Sequence, residues 1–142
     1  MIIKQVSVFL ENRSGRLSEV TEILGTADIN ISAFTIADTS DFGILRMIVS
    51  DPAKAKEILK QEGFSVQTTE VLLVKTSNKP GSLTRLLKTI NKADSFIEYM
   101  YAFSMEGDSA VIVIRPTDVQ KCMTILQNHR EDFLLQDSQY LF

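Results

Sequence analysis

Asn12-Arg13-Ser14-Gly15-Arg16-Leu17 is answered later in the chain by Asn78-Lys79-Pro80-Gly81-Ser82-Leu83. The shift is 66 positions (12 to 78), and the same shift sets Ala27-Asp28 against Ala93-Asp94. Each stretch follows an apolar, strand-like run and opens a segment of helical periodicity. A self-match at a fixed period marks a duplicated unit, so the chain reads as a tandem repeat. The first domain is expected at 1–69 and the second at 70–142, with only Thr69-Glu70 between their adjoining strands.

Around the first turn the elements follow in order. Val6, Val8 and Leu10 alternate onto one face and predict a strand. Leu17, Val20, Ile23 and Leu24 recur at helical spacing, with Glu19 and Glu22 on the outer side. Ile29 to Ala37 and Gly43 to Val49 read as a hairpin around Asp38-Thr39-Ser40-Asp41. Asp51-Pro52 opens a second helix carrying Ala55, Ile58 and Leu59, which Gly63 ends. Phe64 to Thr68 reads as a fourth strand, completing βαββαβ.

The second copy repeats this with strand Val71 to Thr76 and a helical stripe at Leu83, Leu86, Leu87 and Ile90. Phe96 to Met105 and Ala110 to Ile114 form the hairpin, and Val119, Cys122, Met123 and Leu126 mark the next helix. Phe133-Leu134-Leu135-Gln136 matches Phe64-Ser65-Val66-Gln67 and predicts the last strand, with three extra residues near Pro116 and His129.

The fold class is therefore α+β: two ferredoxin-like units, each a four-stranded antiparallel sheet with two helices on one face. Ile44 to Val49 and Ala110 to Ile114 are apolar almost without interruption, whereas a sheet with one wet face alternates. Something is expected to cover the second face, and a second copy of the chain is the first candidate.

Composition narrows the function. Fifteen basic against 18 acidic residues give a net charge of −3, which argues against nucleic acid or an anionic membrane as the main partner. There is no membrane-length apolar run and no signal-peptide layout at Met1-Ile2-Ile3-Lys4. The single cysteine, Cys122, allows no internal disulfide and fits a reducing, cytoplasmic setting. Cys122 falls on the apolar stripe and reads as core; His129, the single histidine, lies in a polar stretch. One histidine and one cysteine give no His/Cys metal site and no Cys–His pair. The carboxylates show no defensible pairing and no phosphate-binding glycine loop is present, so no catalysis and no cofactor are expected.

Glu11 to Leu17, followed by Ala27-Asp28-Ile29-Asn30-Ile31 and Gly43 to Val49, resembles the signature of the ACT domain. The second copy fits through Asn78 to Leu83. The resemblance spans the whole chain and implies a regulatory module that binds an amino acid where two such domains meet. Most ACT domains are attached to the enzyme or regulator they control; this chain resembles a pair with nothing else attached. Locally, Glu11 to Gly15 and Asn30-Ile31 are similar to the serine-sensing ACT domain of phosphoglycerate dehydrogenase. That resemblance implies ligand-holding roles for Asn12 and Asn30. A histidine of that family is replaced here by Leu10, and the counterpart of Asn30 in the second copy is Phe96, so serine and equal sites are both in question.

The turn also has its own reason to bind. Free N–H groups and the dipole at a helix start attract a carboxylate, and Gly15 permits close approach. The plain alternative is that Asn12 caps the helix and Gly15 serves a tight turn. The candidate ligand-binding residues are Leu10, Asn12, Ser14, Gly15, Arg16, Leu17, Asn30 and Ile31, with Asn78 and Gly81 in the second copy. The function expected is an amino acid sensor, homodimeric and acting on a partner enzyme or regulator. The alternative is an assembly module with a vestigial site.

Overall fold

The computed structural model describes residues 1–38 and 41–134. Two compact units emerge: an N-terminal one holding Lys4–Thr69, and a C-terminal one that runs on from Glu70 and also takes in Met1–Ile3.

In the N-terminal unit the elements are β1 (Ile2–Glu11), α1 (Arg16–Thr26), β2 (Ile31–Asp38), β3 (Phe42–Val49), α2 (Pro52–Gln61) and the start of β4 (Ser65–Ser77). Their antiparallel order is β2-β3-β1-β4. The inward alternation of Val6, Val8 and Leu10 meets Leu45, Met47 and Val49 of β3. On that layer rest Val20 and Leu24 from α1 and Ala55 and Leu59 from α2, so both helices cover one face. Each fully buried Val or Leu contributes about 1.5–3 kcal/mol. Asp51 caps α2 by accepting from the Lys54 N–H at 3.0 Å, one residue before Pro52.

The C-terminal unit continues with α3 (Ser82–Ile90), a 3-10 turn at Asn91–Ala93, β5 (Ile97–Glu106), β6 (Ser109–Pro116), α4 (Val119–Gln127) and α5 (Arg130–Phe133). Here the order is β4-β6-β5. Leu72, Val74, Ile112 and Ile114 form the floor, under Leu86 and Ile90 of α3 and Val119, Cys122 and Leu126 of α4. The duplication is visible in the backbone: Gly15 and Gly81 share φ of 86° and 84°, and Asp28 and Asp94 are both left-handed.

Several expectations change. Phe64 to Thr68 and Val71 to Thr76 do not form separate strands; β4 runs unbroken through Thr69-Glu70. Phe133 does not begin a strand but closes α5, and Leu134 follows in extended conformation; Leu135-Gln136 lie outside the described residues. The edge of β4 in the C-terminal unit is instead bordered by the chain's first residues. The Met1 ammonium donates to the Leu73 carbonyl at 2.8 Å, the Leu73 N–H donates to the Met1 carbonyl at 2.8 Å, and Ile2 packs on the same core. Both faces of β6 are buried in the single chain, with Val111 and Val113 as enclosed as Ile114.

Candidate functional site

Antiparallel register decides which residues meet the first turn. Leu10 pairs with Gly43 and Glu11 with Phe42 across β1 and β3, while Gly43 also faces Asp38 across β2. The end of β1, the start of β3 and the end of β2 therefore converge where the chain turns into α1. Between them lies a cavity of about 180 Å3. Leu10, Glu11, Asn12 and Arg13 line it from the strand and turn, Arg16 and Leu17 from the helix, and Ile36, Asp38 and Gly43 from the hairpin. It is smaller than the ~300–1,000 Å3 usual for drug-sized ligands, so it suits a small one.

The helix start at this cavity has Gly15 as its N-cap residue, which has no side chain to cap with. The Arg16 N–H turns back to the Arg13 carbonyl at 3.4 Å. Asn12 donates its backbone N–H to the Asp41 carbonyl at 3.1 Å, tying the turn to the hairpin. The N-cap position belongs to Gly15 rather than Asn12, and the positive end of the α1 dipole lies beside the cavity. Gly15 needs its left-handed backbone, since no other residue takes that conformation as cheaply.

Arg16 is the charged group most enclosed here. Its guanidinium lies over the Phe64 ring at 4.3 Å and donates to Glu19 at 2.9 Å. Its Nε is buried with no acceptor. Glu11 and Arg13 form a separate exposed ion pair at 2.8 Å. Asp38 contributes a carboxylate from the hairpin. The lining thus mixes the charged side chains of Glu11, Arg13, Arg16 and Asp38 with the apolar Leu10, Leu17 and Ile36.

Of the residues expected from sequence, Leu10, Asn12, Arg16 and Leu17 come together, with Ser14 and Gly15 in the adjoining turn. Asn30 and Ile31 do not join them within the unit. They stand at the opposite end of β2 from Asp38, roughly 23 Å away along the strand. Asn30 is exposed and held by Ser50, whose Oγ accepts its N–H at 3.0 Å, while Ile31 leans on the core. Ile36, Asp38 and Gly43 were missed because only strand register brings them to the turn.

In the second copy the turn keeps the same backbone bonds but carries different side chains. The Asn78 amide donates to the Gly107 carbonyl at 3.4 Å, and its N–H donates to the Asp108 carbonyl at 2.8 Å. Thr76 stands where Leu10 stands in the first copy and Ser82 where Arg16 stands. The Ser82 and Ser77 hydroxyls are hydrogen-bonded at 2.5 Å, while Gly81 borders a groove on α3.

The family model for the ACT domain pair matches residues 1–140. The chain belongs to the ACT domain pair family. A protein of known structure from Bacteroides thetaiotaomicron is 46% identical, with a TM-score of 0.90 over 100% of this chain and 98% of that one. The ligand-free regulatory subunit of aspartate kinase from Thermus thermophilus is similar in fold, with a TM-score of 0.68 at 10% identity over 90% of this chain and 96% of that one. The corresponding subunit from Thermus flavus gives 0.64 at 14% identity, over 90% and 94%. No curated protein matches in sequence. Among the described residues, no helix of this ACT pair is long and apolar enough to cross a membrane. Nor, among them, do three or more His, Cys, Asp or Glu side chains cluster as metal ligands.

Proposed function

We propose that this ACT pair senses a free amino acid with a small apolar side chain and passes the signal to a partner enzyme or regulator without catalysing a reaction. The observation that carries the reading is the small cavity at the start of α1, lined by both Arg16 and Asp38. An α-amino acid carries a carboxylate and an ammonium, so it offers one partner for each charge. The carboxylate goes to the positive start of α1 beside Gly15 and Arg16, Asn12 holds a polar end, and Asp38 meets the ammonium. Leu10, Leu17 and Ile36 make the side-chain end apolar, which disfavours serine. Ser14 closes the turn from outside. Asn30, with Ile31 behind it, serves the site of a neighbouring domain in a cytoplasmic homodimer. Asn78 and Gly81 mark a weaker second site. The regulatory role accords with the fold relatives named as aspartate kinase regulatory subunits.

Thermal melts with each common amino acid test this. A ligand at a hundredfold excess over its Kd adds about 2.7 kcal/mol. Asn12→Ala and Asn30→Ala should each remove most of that gain, and Asn78→Ala less, because its copy has Phe96 where the first has Asn30. If no amino acid raises Tm at millimolar concentration, the sensor reading fails and the assembly-module reading replaces it.

A further inference from the structure

The repeat sets positions 19, 22, 23 and 26 of α1 against 85, 88, 89 and 92 of the second copy. In the N-terminal unit, Glu19, Glu22, Ile23 and Thr26 line a groove of about 410 Å3, which α2 completes with Glu62 over an apolar floor at Ile58. In the C-terminal unit, Arg85, Lys88, Thr89 and Lys92 line a groove of about 340 Å3 at the same place in the repeat. The first groove carries three carboxylates and no cation, the second three cations and no carboxylate. All six charged residues are exposed in the single chain. Among the described residues, Glu22, Glu62, Lys88 and Lys92 enter no ion pair.

We propose that the acidic α1/α2 groove of one copy docks against the basic α3 face of a second copy. Charge complementarity selects this occupant. Like grooves repel, so two copies meet through unlike halves. The apolar floor at Ile23 and Ile58 supplies the buried centre and the six charges its rim. This assembly does not depend on whether an amino acid binds at the Gly15 turn.

The test uses charge reversal at the four residues without ion pairs, sparing Glu19 and Arg85, which have structural partners. One variant carries Glu22→Lys and Glu62→Lys, the other Lys88→Glu and Lys92→Glu, and circular dichroism melts check that both fold. Analytical ultracentrifugation reads the mass of each alone and of their equimolar mixture. Each variant alone should associate at least about tenfold more weakly than the wild type, because both of its grooves now carry a net charge of the same sign. The mixture should return to the wild-type mass, since each variant supplies the charge that the other lacks. Raising salt from roughly 50 mM to roughly 0.5 M should weaken the wild-type and mixed assemblies alike. A wild type with the mass of one chain throughout, reversed variants that keep the wild-type mass, or a mixture of folded variants that fails to recover it would each overturn the proposal.

Discussion

Replacing Thr76 by Val should make the protein more stable. Thr76 lies near the end of β4, 2% exposed, in the alternating row that begins with Leu72 and Val74. Its Oγ1 is fully enclosed and has no hydrogen-bond partner. The first copy has Leu10 here, so the position itself is apolar by design of the repeat. An unpaired buried hydroxyl costs about 1–3 kcal/mol, and Val keeps its shape while removing that cost. Each kcal/mol moves Tm by about 4–8 °C if the C-terminal unit melts alone, and by less if the whole chain melts together. A calorimetric melt should therefore show a rise of about 4 °C or more for Thr76→Val. Ser82→Ala is the matched control. The Ser82 hydroxyl is hydrogen-bonded to Ser77 at 2.5 Å, and losing that bond should lower stability by about 1 kcal/mol. A fall in Tm for Thr76→Val would refute the reasoning, because it would mean that the hydroxyl is satisfied, as by a buried water.

Two further outcomes follow from backbone and terminus. Gly15→Ala and Gly81→Ala should each cost roughly 1–2 kcal/mol in urea unfolding, since φ is 86° and 84° and a side chain is strained there even in open space. Gly25→Ala, inside α1 with nothing near its added Cβ, should instead stabilise by about 0.4–1 kcal/mol. At the N-terminus, burial holds the Met1 ammonium below its ordinary pKa of 8.0. The unfolded chain thus binds that proton more tightly, so the penalty is full below the folded pKa. Stability should rise as pH climbs from there towards 8.0 and level off above it, and an N-acetylated protein should lack the rise in denaturant titrations.

The features that were legible in the sequence are those that depend on local chemistry. The two glycine turns and the stripes at Leu86 and Ile90 or Ala55 and Leu59 need only near neighbours to declare themselves. Thr69-Glu70 misled because a polar pair between apolar runs looks like a break, yet a strand tolerates outward polar residues without one. Phe133 misled for a different reason. Its match to Phe64 is real in packing but not in backbone: both rings are buried, and each lies under an arginine, at 5.7 Å from Arg85 and 4.3 Å from Arg16. The ring was kept while the element carrying it became a helix end. Ile36, Asp38 and Gly43 were out of reach because their place at the cavity follows from the β1–β3–β2 register, which periodicity alone does not fix.

The arginines explain why the two turns diverged. In the first copy Arg16 begins α1, so one side chain lies over Phe64, holds Glu19 and lines the cavity. In the second copy the cation sits one turn later, at Arg85, the counterpart of Glu19. There it lies over Phe133 within 3.9 Å of Asp132 and borders the α3 groove instead. That move leaves Ser82 at the helix start, and a hydroxyl paired with Ser77 offers a carboxylate far less than a guanidinium does. It also puts positive charge on the outer face where the first copy has Glu19. The arginine thus leaves the second turn and joins Lys88 and Lys92 on the groove beside it. If both proposals hold, Arg85 bears on ligand binding at the second turn and on association through the α3 groove. Moving the arginine back, with Ser82→Arg and Arg85→Glu together, should shift both properties at once: amino acid binding by the second copy should strengthen while charge-dependent association weakens. Calorimetric titration and ultracentrifugation on the same sample read the two, and movement of one without the other would separate them.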